Sequence, residues 1–355
     1  MIEYCCDLEE LILFLKNKKI FCFGAGLQGQ RWIYFLEDWG YSENILGVID
    51  NDLQKQGSLL QGNKGGYEIL SLVKAIDVYG NESNLCVLLT SLRFEEIGKQ
   101  LREFGHDEIC FIPVDKVAER QLFVSDYQSD FLKNETEKIP RVIHYAWFGG
   151  EKPDFVKRNL DNWHRFCPDY QIKEWNETNY DVRKRQYMSQ AYDNKVWGFV
   201  SDYLRLDVVY NEGGIYLDTD VEITRNIDEL LKNTAFGMCD ATFTMNLGCG
   251  FGAIPECDII RELRDYYDDK SFQRADGTLD KTPCNTHTYL VLRKYQYKIN
   301  DRLQKIREMN IYPMIASGAC QYTRKIRIDE QRTFWIHYSN QSWMENRLGN
   351  YEQRK

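Results

Sequence analysis

The sequence predicts an α/β protein built from two domains, and three observations carry that prediction. Short apolar runs alternate with helical stretches over residues 1–125, a polar break fills 126–138, and a fresh apolar strand opens abruptly at Ile139. Strands alternating with helices in this way imply parallel sheets. The chain has 355 residues, 43% hydrophobic and 28% charged with 7 prolines, so it can bury a core in each domain and is not disordered.

In the first domain Lys19-Ile20-Phe21-Cys22-Phe23 reads as a strand, and the turn from Gly24 to Gly29 leads into a helix reaching about Trp39. Ile45 to Ile49 is a second strand that ends at Asp50. Asn51 to Gly66, rich in Gly, Asn and Gln, reads as a surface excursion. Leu85–Thr90 is a further strand, Phe94–Phe104 a helix, and Glu108–Ile112 a last strand.

Gly24, Gly26 and Gly29 fit G-x-G-x-x-G after a strand and before a helix, with Asp50 closing the next strand near where a ribose-binding acid would lie. Such glycines let the backbone approach a pyrophosphate, and the helix N-terminus adds free N–H groups and partial positive charge. A tight strand-to-helix turn that binds nothing fits equally well. No catalytic Tyr–Lys or Cys–His pair accompanies it. This half resembles the small Rossmann-type domains fused to bacterial polysaccharide-synthesis enzymes and sugar O-acyltransferases, over residues 18–115. The resemblance implies a second nucleotide or nucleotide-sugar held by Gly24, Gly26, Gly29 and Asp50.

Residues 139–355 form the second α/β domain. Its most informative segment runs from Ser201 to Glu222. Leu204 and Val208 are spaced for a helix, and Gly213-Gly214 stops it. Ile215-Tyr216-Leu217 then starts a strand expected to present Asp218 and Asp220 on one face, with Cα atoms ~6.6 Å apart. Paired carboxylates repel, and a divalent cation removes that conflict; hard oxygen ligands favour Mg²⁺ or Mn²⁺. One carboxylate would ligate the metal and the other a substrate hydroxyl or a metal-bound water. Asp202 and Arg205, three apart, share one helix face. Taken singly, these features read as a solvated acidic turn and a surface ion pair. Taken together, the string is specific.

It resembles the glycosyltransferases with a DxD sugar-binding region, family 32, over residues 139–345. The carrying residues are Ile139-Pro140-Arg141-Val142-Ile143-His144-Tyr145-Ala146-Trp147-Phe148-Gly149-Gly150, Asn162-Trp163, Glu174-Trp175-Asn176, Ser201-Asp202-x-x-Arg205, Asp218-x-Asp220, His337-Tyr338 and Ser342-Trp343. The resemblance implies a GT-A fold, a nucleotide-diphospho-sugar donor with UDP-hexose favoured, a divalent metal (Mn²⁺ or Mg²⁺) and retention of anomeric configuration. Trp147 would meet the base, and Asp202 and Arg205 the donor sugar and phosphate or ribose oxygens. Asp218 would take hydroxyls, Asp220 the metal, and His337 the metal or diphosphate. Ser342 and Trp343 would close over the donor. Asn246, in the glycine-rich run to Gly252, reads either as lining the sugar pocket or as part of a turn. Departure of a nucleoside diphosphate builds charge on a phosphate oxygen, which a cation and Arg205 can stabilise. A retaining transfer needs no strong protein base when the leaving diphosphate takes the acceptor proton, so no nucleophile is assigned.

Net charge is −9, which argues against nucleic acid as the main partner. The longest wholly apolar runs, such as Leu11–Leu15, are far too short to span a bilayer, and the opening residues carry no basic segment before an apolar one. Eleven cysteines without a C-x-x-C read as buried thiols in a reducing cytoplasm. The 23 tyrosines suit sugar faces, though most aromatics are core. Arg293 to Arg307 is basic and reads as a solvated helix face, or as a peripheral contact with anionic lipid or a polyprenyl-diphosphate acceptor. The expected function is a cytoplasmic, metal-dependent glycosyltransferase of capsular or other surface polysaccharide, acting on a glycan or lipid-linked acceptor. Two other classes compete: a paired-carboxylate glycoside hydrolase and a non-catalytic nucleotide-binding scaffold.

Overall fold

A computed structural model describes residues 1–106 and 109–339. The chain divides into two compact units, Met1–Val124 and Ser125–Lys355. The architecture of both is mixed α/β.

The first unit is a seven-stranded sheet. In chain order its strands are β1 (Ile2–Glu3), β2 (Lys19–Phe23), β3 (Ile45–Ile49), β4 (Leu59–Gln61), β5 (Gly66–Leu70), β6 (Leu85–Leu89) and β7 (Cys110–Pro113). The helices are α1 (Leu8–Leu15), α2 (Leu27–Asp38), α3 (Leu72–Tyr79), α4 (Phe94–Phe104) and α5 (Val114–Val124). The sheet order is β1-β7-β6-β2-β3-β5-β4, parallel throughout except for the β4–β5 pair. β2 and β6 are buried at almost every residue, as expected of strands covered by helices on both faces. The 51–66 excursion is not featureless, because it carries β4 and the turn into β5. A hairpin gives its backbone groups partners that a bare loop would lack.

The second unit continues with β8 (Val142–Ala146), β9 (Gln171–Trp175), β10 (Gly214–Tyr216), β11 (Val221–Ile223), β12 (Ala235–Met238), β13 (Phe251–Ala253), β14 (Gln304–Ile306), β15 (Met309–Tyr312), β16 (Ala319–Cys320), β17 (Lys325–Ile326) and β18 (Trp335–His337). Its helices are α6 (Asp154–Phe166), α7 (Gln186–Asp193), α8 (Trp197–Glu212), α9 (Asp258–Asp265) and α10 (Cys284–Leu292). The main sheet runs β14-β15-β12-β13-β10-β8-β9, with β8 parallel to both β9 and β10 and β13 antiparallel between β10 and β12. This mixed sheet, with an acidic segment leaving a central strand, fits the GT-A-like class. Two ribbons, β11–β18 and β16–β17, stand outside it.

Residues 126–138 form neither helix nor strand, yet they pack on the second unit. Tyr127 is buried and its hydroxyl donates to the Arg332 carbonyl at 2.7 Å. α8 is buried at every position from Phe199 to Val209, including Asp202, Arg205 and Asp207. A helix surrounded on all sides belongs to the interior, so its charged residues need partners of their own. It ends where expected, at Gly213 (φ +68), where an added Cβ would meet Pro255 and Pro140 at 2.7 and 2.9 Å.

One expectation fails outright. Arg293–Arg307 is not a helix face: after a short 3₁₀ turn at Arg293–Tyr295 the chain runs through Gln296 (φ +62) and turns into β14. Its last residue, Arg307, pairs with Glu262 and with Glu308 at 3.5 Å. The left-handed residue at 296 breaks any continuous helical stripe.

Candidate functional site

β8 and β10 are parallel neighbours, with Ile215 beside Ile143 and Tyr216 beside His144, so both leave the sheet at one edge. From β8 the chain enters the Trp147 loop, and from β10 it enters Asp218-Thr219-Asp220. The two acids do not lie on a strand as expected. β10 ends at Tyr216, and the Val221 N–H donates to the Asp218 carbonyl at 3.1 Å, closing a turn before β11. The turn brings the two side chains together where alternation along a strand would have kept them a pleat apart.

α6 holds that turn from beneath. Asn159 Nδ2 donates to the Thr219 carbonyl at 2.8 Å and Trp163 Nε1 to the Val221 carbonyl at 2.9 Å. Asn162 bonds both the N–H and the carbonyl of Ile223, at 2.9 and 3.1 Å. These three side chains lie on one face of the helix and satisfy the backbone of an irregular segment.

The third member arrives from far along the chain. β11 pairs antiparallel with β18, placing Val221 opposite His337, and the Tyr338 N–H donates to the Asp220 carbonyl at 3.1 Å. His337 Nε2 thereby lies 3.4 Å from Asp220 Oδ1, while its Nδ1 meets Ser339 Oγ at 3.1 Å. One ligand atom each from Asp218, Asp220 and His337 falls within 4.8 Å of the others.

The inner wall is Arg205. Its Nη2 lies 3.2 Å from Asp202 Oδ1, 3.5 Å from Asp218 Oδ1 and 2.6 Å from Ser201 Oγ, and its Nε donates to the Ser201 carbonyl at 3.1 Å. Burial pushes the Asp202 carboxyl up to about 7, with Arg205 opposing the rise. Burial likewise raises the Asp218 carboxyl, Arg205 pulling it down and Asp220 pushing it up. Burial works against a charge on His337, yet the attraction and hydrogen bond of Asp220 outweigh it and hold the imidazole well above its ordinary value. A divalent cation suits the same carboxylate and imidazole donors and would offset the repulsion between the two acids.

Gly248 completes the wall. A Cβ there would lie 2.3 Å from Asp218 Oδ2 and 3.2 Å from Arg205 Nη1. Asn246 positions it: its Oδ1 accepts from Gly248 N at 2.9 Å, and its Nδ2 donates to Asp240 Oδ2 at 2.7 Å.

With this geometry the chain can be compared with known proteins. Residues 153–237 match the family described as "glycosyltransferase sugar-binding region containing DXD motif". The chain is 30% identical over 134 residues to inositol phosphoceramide mannosyltransferase 3 of Schizosaccharomyces pombe (strain 972 / ATCC 24843), spanning 32% of this chain and 36% of that one. It is 29% identical over 127 residues to inositol phosphoceramide mannosyltransferase 1 of the same organism, spanning 32% and 39%. The second unit carries a glycosyltransferase family 32-like region. The chain spans less than two fifths of the length of these curated relatives. Among solved structures, PaToxG glycosyltransferase aligns with a TM-score of 0.35 at 18% identity, covering 51% of this chain and 76% of that chain.

Asp202, Arg205, Asp218 and Asp220, all within the matched residues 153–237, come together in one cluster with His337, which lies outside them. Trp147 sits at the same sheet edge, half-buried, its Nε1 donating to the Gly150 carbonyl at 2.8 Å. Asn246 caps the Leu247–Cys249 turn. Ser342 and Trp343 lie outside the described residues. Asn159 and Gly248 were missed by sequence reasoning. Only the short run of glycines around 248 was a signal, and nothing local marked Asn159.

In the first unit, Gly24 has φ +121, and a Cβ on Gly29 would fall 1.8 Å from the Gly24 carbonyl, so both positions require glycine. Gly26 faces open space. Asp50 accepts from Ala25 N at 2.7 Å and Asp52 N at 2.9 Å and pairs with Lys55 at 3.2 Å. Partial burial opposes its ionisation, but these bonds hold the carboxyl below its usual range. The acid expected to face a ribose is thus committed to bracing the turn. The turn sits where strand order reverses, between β2 and β6, the place where open parallel sheets form a crevice.

Proposed function

We propose that the protein is a metal-dependent, retaining glycosyltransferase that moves a hexose from a nucleotide-diphospho-sugar to a glycan or lipid-linked acceptor in surface polysaccharide synthesis. The observation that carries the reading is the convergence of Asp218, Asp220 and His337 within 4.8 Å, beside Arg205, the two acids and the arginine lying in the residues that match the DXD family. These three residues would hold Mn²⁺ or Mg²⁺, which when bound would supply positive charge to the leaving diphosphate. Arg205, pinned by Ser201 and Asp202, adds a preorganised cation that needs no rearrangement. Asp202, buried and with its carboxyl near about 7, can exchange hydrogen bonds with donor-sugar hydroxyls. UDP-hexoses are the favoured donors. A mannose donor stands beside them because the matched relatives are named mannosyltransferases. The eleven cysteines stand as thiols and not as disulfides, which supports a cytoplasmic setting. The crevice at Gly24 and Gly26 would take a second nucleotide or nucleotide-sugar.

The test is nucleotide release from a panel of nucleotide-sugars with Mn²⁺, repeated with EDTA and with Asp220→Ala. Release that requires the metal and falls at least a hundredfold in the variant is expected. EDTA-insensitive cleavage of an oligosaccharide would point to a hydrolase. Metal-independent nucleotide binding at the first unit alone would point to a scaffold.

A further inference from the structure

The large hydrophobic side chains that are solvent-exposed lie almost wholly in the first unit. Among the described residues of the second, they are Ile326 at 43% and Ile328 at 58%. Ile326 lies on the β16–β17 hairpin, where Ala319 pairs with Ile326 and Cys320 with Lys325, and Ile328 follows two residues after the strand ends. Between them Arg327 points the other way: its Nη1 donates to the Ser125 carbonyl at 2.9 Å, and its N–H donates to the Gly318 carbonyl at 2.8 Å. Both isoleucines flanking this inward-turned arginine are left to solvent. The turn before them ends at Arg324 (φ +59), and Arg324 and Lys325 are exposed with no acidic partner among the described residues. Asp329 is paired with Arg332 at 3.2 Å, and Glu330 is the exposed acid of the same segment. From 324 to 332, four cations face two acids, in a protein whose net charge is −9.

We propose that this hairpin docks on an anionic lipid bilayer, with Ile326 and Ile328 entering the headgroup boundary and Arg324 and Lys325 meeting lipid phosphates. Local positive charge on an acidic protein selects an anionic surface, and paired exposed isoleucines supply apolar area that solvent alone does not favour. The hairpin is tied to the site: Gln321, at its turn, donates to Asp240 Oδ2 at 3.2 Å, and that same oxygen holds Asn246 and through it Gly248 against Asp218. Docking there would join the membrane contact to the wall of the cluster through these bonds; that a lipid-linked acceptor is received there depends on the transferase reading, whereas docking itself does not.

The experiment is co-sedimentation of the full chain with vesicles of phosphatidylcholine, with and without phosphatidylglycerol, for wild type, Arg324→Gln/Lys325→Gln and Ile326→Ser/Ile328→Ser. Binding to the anionic vesicles only, weakened by salt, is expected, with about a fivefold loss for each cation removed and a loss of at least that size in the isoleucine variant. UDP binding with Mn²⁺, measured separately by calorimetry, should be unchanged in both variants. Equal sedimentation of wild type and variants, or none with anionic vesicles, overturns the proposal. So does a wild-type dimer that the isoleucine variant dissociates, since the face then joins two copies. Absence of binding to any nucleotide-sugar of the panel in wild type would sink the transferase reading and leave the vesicle result standing.

Discussion

Replacing Gly248 with alanine isolates the position of one carboxylate. The residue sits in a 3₁₀ turn, Leu247–Cys249, without a positive φ, so alanine can adopt its backbone conformation. The new Cβ would lie 2.3 Å from Asp218 Oδ2, whereas a carbon–oxygen contact settles near about 3.3 Å. The carboxylate therefore retreats by about 1 Å. Stability should barely change, because Gly→Ala lowers unfolded-chain entropy by a comparable ~0.4–1 kcal/mol and the obstructing atom is the end of a side chain. A 1 Å misplacement at a reacting centre costs about a hundredfold in rate. Donor turnover should accordingly fall by about two orders of magnitude, with a melting temperature within a few degrees of wild type, about 2–4 °C per kcal/mol at this domain size. Gly250→Ala is the contrast: at φ +119 its Cβ would meet Trp335 at 2.4 Å, and that variant should lose the fold. Wild-type turnover and Mn²⁺ affinity in Gly248→Ala would refute the placement of Asp218 at the chemistry.

Three further outcomes follow from the packing. Arg205→Met strands the buried Asp202 and should cost about 3–5 kcal/mol in urea unfolding; Asp202→Asn combined with it should recover part of that loss, and strict additivity would contradict the pairing. Asn159→Ala frees the Thr219 carbonyl, which should weaken Mn²⁺ binding about tenfold while costing only about 1 kcal/mol; an unchanged metal titration would remove α6 from the account. In the first unit, Asp115 is fully buried, with Oδ1 accepting from Gln28 at 2.9 Å and Oδ2 without a partner. Burial pushes its carboxyl up to about 7, the Gln28 bond and Arg31 charge opposing the rise. A raised carboxyl contributes stability that is complete below the unfolded value near about 4 and lost as pH rises through about 7. Asp115→Asn should therefore match wild type near about pH 4 and exceed it above about pH 7, by at most ~4 kcal/mol; pH-independent melting differences would contradict this.

What could be read from the chain was local and punctuated. The ends of α2 and α8 follow from Gly24–Gly29 and Gly213-Gly214, because glycine positions with special backbone geometry leave a direct mark in sequence. Asp218 and Asp220 were singled out, but on a strand. The turn that joins them depends on Asn159, Asn162 and Trp163 holding its carbonyls from α6, a tertiary influence with no local signature. His337 reaches Asp220 only through β11–β18 pairing across more than a hundred residues, which no window of sequence contains. The basic stretch at 293–307 misled because charge spacing resembles a helix face, whereas the left-handed Gln296 ends any helix there.

Anomalous diffraction from crystals grown with Mn²⁺ and UDP tests the central claim most directly. The account predicts one strong manganese peak bridged by Asp218, Asp220 and His337, with diphosphate oxygens on its open side and Arg205 facing them. Manganese bound elsewhere, or UDP seated away from those side chains, would contradict it.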